Sequence, residues 1–211
     1  MYIGMSFELI TAIVGAFYLK SYKNKSLKYF IIFIWYTFIN EIFTGIYLKR
    51  HLKIEEADIL YNLYYLVYFF FYFYLFRNSI SSRKYKLTIN IFLYIYLISL
   101  IFNGFFMNYF TEIQILPHVI ASSCLIVAIV FYYIEVLKSE RVLKIEKSLL
   151  FWISIGVLVY SIGLIPFRIL RNYYTNLVDD MVPLLATFIL TIFMNTCFII
   201  GFTWSDKKQL Y

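Results

Sequence analysis

YNLYYLVYFFFYFYLF, residues 61–76, contains no charged side chain, no proline and no glycine. A helix that crosses a bilayer needs about 20 mostly apolar residues, because the hydrocarbon core is about 30 Å thick and each residue rises about 1.5 Å. With its neighbours at 59–60 this stretch is long enough to cross. The same pattern recurs on either side, so spans are expected at 2–19, 29–48, 59–76, 87–106, 116–137, 149–170 and 181–204. The segments between them are short, and short connections in a bundle make successive helices run antiparallel. The expected fold is an all-α integral membrane protein, a seven-transmembrane-helix bundle with residues 1–211 forming a single transmembrane domain.

Composition agrees. Of 211 residues, 63% are hydrophobic and 15% charged, against about half and a quarter in soluble domains. The net charge of +7 would by itself fit a nucleic-acid binder, but its distribution follows membrane topology instead. Lys20, Lys23, Lys25, Lys28, Arg77, Arg83, Lys84, Lys86, Lys138, Arg141, Lys144, Lys147, Lys207 and Lys208 all fall on one side of the expected spans. The other side holds Lys49, Arg50, Lys53, Arg168 and Arg171, while Glu55, Glu56, Asp58, Glu112, Asp179 and Asp180 lean the same way. Short cytoplasmic loops carry the Lys and Arg excess, so the N-terminus is expected outside and the C-terminus in the cytoplasm. The location read from this is the cytoplasmic (inner) membrane. Anionic lipids are the expected partners of the basic loops, with no nucleic acid. The first span lacks a basic n-region and reads as a retained helix rather than a cleaved signal.

Aromatic residues make up 23% of the chain. Phe, Tyr, Ile, Lys and Asn share AT-rich codons, and composition alone accounts for much of this. The tyrosines still need hydrogen-bond partners at bilayer depth. Tyr61, Tyr65, Tyr68 and Tyr72 share one helical face, which is expected to point into the bundle. Phe69, Phe70, Phe71, Phe73 and Phe76 are expected to cover much of the remaining surface. Trp35, Trp152 and Trp204 lie toward cytoplasmic span ends, as interfacial anchors do. Cys124 and Cys197 read as buried structural thiols. On the sixth span Gly156 and Gly163 permit close helix approach. Pro117 fits the first turn of its helix, and Pro166 and Pro183 kink or start theirs.

An ionisable group inside a span costs several kcal/mol and is a functional candidate by default. Glu41 is the clearest, twelve residues along from Tyr29 and so about 18 Å into the second span. Thr37, Glu41 and Thr44 share a face, with Asn40 beside them. Glu8, Asn62, His118 and Arg168 lie at similar depth on other spans. Together with Tyr65 and Tyr68 these residues form the expected ligand-binding set, an outward-opening polar pocket in which Arg168 pairs with Glu8 or Glu41. The competing reading is a set of interhelical hydrogen bonds that hold the bundle together.

Several chemistries are excluded by residue type. The seventh span has no lysine to form a Schiff base with retinal. His51 and His118 are too few for a histidine-ligated zinc hydrolase, and Asp58, Asp179, Asp180 and Asp206 lie at span ends or in loops. No Gly-rich phosphate loop exists. No metal, cofactor or catalytic residue is expected, and the chain reads as a non-enzyme, with an intramembrane hydrolase in which Glu41 and His118 do acid and base work as the minor alternative.

KSYKNKSLKYFIIFIWY at 20–36 and KSERVLKIEKSLLFWIS at 138–154 would suit two parallel three-helix repeats flanking a fourth helix, the arrangement of small sugar and vitamin transporters. The proline and glutamine pair that marks one such family is absent. At FINEIF (38–43), YNLYYL (61–66) and FWISIGVLVY (151–160) the chain resembles stand-alone seven-helix proteins of AT-rich bacteria and the seven-helix input modules of sensor kinases. That resemblance implies a receptor-type bundle with an outward pocket and carries over no binding residues. No output domain follows Trp204, so a signal would pass to a protein partner on the cytoplasmic side or to a second copy. The expected function is a receptor-like sensor or a subunit of a larger membrane complex. The alternative is a small-solute or ion-coupled transporter in which Glu41 titrates.

Overall fold

The computed structural model describes residues 2–22, 24–44, 54–170 and 181–206. Among them the chain is helical throughout, with no strand. The α-helices are α1 (Tyr2–Tyr18), α2 (Lys25–Ile42), α3 (Ile54–Ser79), α4 (Arg83–Asn103), α5 (Ile115–Leu137), α6 (Leu149–Ile169) and α7 (Met181–Trp204), and a 3-10 helix covers Glu140–Lys147 between α5 and α6. Five of them, α3 to α7, are long and apolar enough to cross a membrane, which makes this a helical membrane protein. In α1 the apolar stretch is shorter, Gly4–Tyr18. Helix α2 has 18 residues, among them Lys25, Lys28 and Glu41. The rest of the expected second span, 45–48, lies outside the described residues. So do the connections 45–53 and 171–180 and the tail 207–211, on which part of the charge count rests.

Local chemistry fixes several helix ends. Asn24 caps α2, its side-chain oxygen accepting the Ser26 N–H at 2.8 Å, which satisfies one of the free donors of the first turn. Pro117 sits in the first turn of α5, where no intrahelical N–H is required. Pro183 occupies the same kind of position in α7. Pro166 lies in the last turn of α6, and its carbonyl still accepts the Leu170 N–H at 2.9 Å.

Packing places α1, α2, α3, α5, α6 and α7 in a closed ring, each touching the next, with α7 returning to α1. Helix α4 stands outside the ring against α3 and α5. It buries a narrow stripe, Ile89, Tyr96, Ser99 and Asn103, and leaves Leu87, Ile91, Tyr94, Ile98 and Ile101 exposed. An apolar exterior of this kind belongs in lipid.

This arrangement corrects one expectation for α3. Phe69, Phe73 and Phe76 are buried, and of the five phenylalanines only Phe70 is exposed. The reason is that α2, α4 and α5 all pack on α3, so two of its faces are covered. Its rings form an aromatic core with neighbouring helices. Phe71 stacks on Phe33 at 4.2 Å between centroids, and Phe30 meets Phe198 edge to face at 5.0 Å. Between α6 and α7 the approach is close because of glycine. A Cβ on Gly156 would stand 3.1 Å from the Met194 carbonyl oxygen, and one on Gly201 would stand 2.8 Å from Trp152 Cβ.

The turns rich in lysine and arginine are tied together at one end. Glu135 of α5 accepts the backbone N–H groups of Ser81 and Ser82 in the turn between α3 and α4, the latter at 3.0 Å. The Tyr22 and Ser205 hydroxyls lie 2.8 Å apart, and the Asp206 N–H donates to the Lys147 carbonyl at 2.8 Å. Lys147 Nζ lies 3.8 Å above the Trp204 ring. Trp152 donates its indole N–H to the Glu146 carbonyl.

Candidate functional site

Polar side chains from α1, α2, α3, α5, α6 and α7 lie within the ring at two levels. Glu8 of α1 lies within electrostatic range of Glu41 of α2. Thr37 and Thr44 flank Glu41 on the same face of α2. Their hydroxyls donate to the carbonyls one turn back, Phe33 at 3.1 Å and Asn40 at 2.7 Å, and they also meet the hydroxyls of Tyr64 and Tyr61. Asn40 is half-buried beside them.

Helix α3 presents two adjacent tyrosine stripes to these side chains. Tyr61 and Tyr65 point toward Glu41 and Arg168, whereas Tyr64, Tyr68 and Tyr72 line a cavity below them. Glu8, Phe33, Thr37 and Asn195 also line it, so the cavity lies between α1, α2, α3 and α7. Its volume is about 20 Å³, enough for one or two water-sized occupants. It is too small for an organic ligand. Two oxygens at its wall, Glu8 Oε2 and Tyr68 Oη, are buried without a hydrogen-bond partner. Buried polar atoms are normally paired, which makes this pair of orphans unusual.

Arg168 of α6 reaches the tyrosine face of α3. Its Nη2 donates to the Tyr65 hydroxyl, and its guanidinium carbon lies 5.1 Å from the Tyr65 ring centroid. A planar guanidinium suits this combination of hydrogen bond and ring contact. Tyr160, also on α6, lies within range of Tyr65, Arg168, Glu8 and Glu41. His118 of α5 is buried beside the same group. Its ring packs edge to face on Tyr65 at 4.5 Å and on Phe69 at 5.2 Å, and its Nδ1 is without a hydrogen-bond partner.

Asn62 stands apart. Its Nδ2 donates to the carbonyls of Tyr109 and Glu112 at 2.8 and 2.9 Å, and its Oδ1 accepts the Gln114 N–H at 3.1 Å. That amide is fully engaged in holding the connection between α4 and α5. Asn103 is likewise taken up, donating to Gln114 Oε1.

Of the expected set, the ring brings together Glu8, Thr37, Glu41, Thr44, Tyr65, Tyr68, His118 and Arg168, while Asn40 is half-buried on α2 and Asn62 serves the loop. The expectation did not include Tyr64, Tyr160 or Asn195. Tyr64 carried a signal, since 64, 68 and 72 repeat at four residues as regularly as the face that was read. Asn195 lines the same cavity as Glu8, although it lies in the half of α7 nearer Trp204. Among the described residues no three His, Cys, Asp or Glu side chains converge as metal ligands. Cys124 and Cys197 are free thiols, and only Cys197 is buried. Comparison of the chain with protein-family models, with curated proteins and with solved structures found no match in any of the three.

Proposed function

We propose that the chain crosses the cytoplasmic membrane seven times with its N-terminus outside, and that it acts as a receptor-like sensor or as a subunit of a larger membrane complex. The observation that carries this reading is the link from Arg168 on α6 to Tyr65 on α3. Helix α6 packs along α7 through Gly156, and α7 ends at the basic turns. A ligand or partner group that competes for Arg168 would free α6 from α3 and move the α6–α7 pair at the opposite end. The basic turns would then engage lipid or a partner protein there. In the described conformation the cavity is too small for an organic ligand, so binding in this reading requires the upper layer around Glu41, Tyr61, Tyr65 and Arg168 to open.

The placement of α4 outside the ring favours a second reading. It leaves α1–α3 and α5–α7 as consecutive triplets, as in a small transporter with Glu41 as the titrating group. Proteoliposomes containing the purified chain separate the two. A panel of radiolabelled amino acids, sugars and amines is tested for uptake and, in parallel, for thermal stabilisation. The receptor reading predicts stabilisation by a compound that is not taken up, and loss of that stabilisation in Arg168→Lys. Uptake that fails in Glu41→Gln would establish the transporter instead.

A further inference from the structure

We propose that the cavity between α1, α2, α3 and α7 binds a small monovalent cation of sodium size, held by Glu8 Oε2, the Tyr68 hydroxyl and the side-chain oxygen of Asn195. All three side chains line the same cavity. Tyr68 is only 5% exposed, and its hydroxyl has no hydrogen-bond partner. The same is true of Glu8 Oε2. Asn195 uses its Nδ2 to donate to the Thr191 carbonyl at 2.9 Å, which leaves its oxygen as an acceptor.

The donors are all oxygens, which select hard cations. A single carboxylate among neutral oxygens matches a single positive charge. With no group of three His, Cys, Asp or Glu among the described residues, a transition metal lacks the nitrogen or sulfur ligands it would need. The cavity volume of about 20 Å³ suits an ion with a water. Arg168 does not supply the missing charge here, because it is engaged by Tyr65 in the layer above. A cation at this point would bridge α1, α3 and α7 and brace the ring.

The inference does not depend on the receptor reading, which concerns the upper layer around Arg168. Its failure would leave that reading intact. The test uses the full chain in detergent at fixed pH and fixed ionic strength, melted in sodium, potassium or N-methylglucamine chloride. The expected result is a saturable rise of a few degrees in sodium, with a weaker effect of potassium and none of N-methylglucamine. Glu8→Gln should abolish the sodium-specific rise. If Glu8→Gln does not yield folded protein, Tyr68→Phe decides, and it should raise the half-saturating sodium concentration several-fold. Equal melting in all three salts overturns the proposal. So does a sodium effect unchanged in the deciding variant.

Discussion

Gly156→Leu should unfold or dissociate the α6–α7 pair. A Cβ at this position already lies 3.1 Å from the Met194 carbonyl oxygen, 3.1 Å from the Phe198 ring and 3.3 Å from Cys197 Cβ. Backbone oxygen cannot move aside as a side-chain tip can. Leucine adds three further carbons, so the helices must part. Overpacking of this kind costs about 1–3 kcal/mol or more. Lost helix contact is not offset by a hydrophobic term, because lipid chains are as apolar as the helix surfaces they replace. The expected outcome is a sharply lower melting temperature in detergent, or no monodisperse protein. Gly4→Ala is the control, since its nearest neighbour would lie 3.8 Å away in the Phe188 ring, and it should melt as wild type does. A Gly156→Leu protein as stable as wild type would show that α6 and α7 do not meet here.

The second large effect is expected for Asn62→Ala. One amide satisfies two carbonyls and one N–H in the connection between α4 and α5, and alanine would leave all three without it. Each lost bond is worth about 1 kcal/mol net, and more where the stranded group cannot reach water, so a loss of roughly 2–4 kcal/mol is expected. Asn62→Asp keeps the acceptor for the Gln114 N–H but sets a carboxylate oxygen against the carbonyls of Tyr109 and Glu112, so it should be at least as destabilising as alanine. Hydrogen exchange gives a local reading. Amides of residues 107–114 should exchange faster in Asn62→Ala, while those of α6 stay protected. Unchanged exchange in that segment would assign Asn62 a different role.

How much of this could be read from the chain depends on the kind of signal each residue carries. Apolar length was legible, and α3 to α7 follow it closely. Helix ends were less so. Arg83–Lys86 belong to α4 rather than to the preceding turn, and the 104–106 segment expected in the fourth span is a turn, because hydropathy does not register polar residues that continue a helix. Glu41, Thr37 and Thr44 share a face by spacing alone, and the structure places that face toward Tyr61 and Tyr64. The partner of Arg168 was not legible. Charge pointed to a carboxylate and gave no sign of Tyr65, whose hydroxyl and ring it meets. Asn62 misled for a related reason: a polar residue at the right depth gives no sign of whether its partners lie across the bundle or in a loop. The burial of Phe69 and Phe73 depended on α4 lying outside the ring, a fact of three-dimensional order that no single span contains.

The central claim is that α2 turns Glu41 toward its neighbouring helices and away from lipid. A nitroxide scan of residues 37–44, one cysteine at a time in a Cys124→Ser, Cys197→Ser background reconstituted in lipid, tests it through collision rates with oxygen, which concentrates in the bilayer. The structure predicts a helical oscillation with high rates at Ile39, Ile42 and Phe43, which are exposed, and low rates at Thr37, Glu41 and Thr44. A maximum at position 41, or a flat profile, would contradict it.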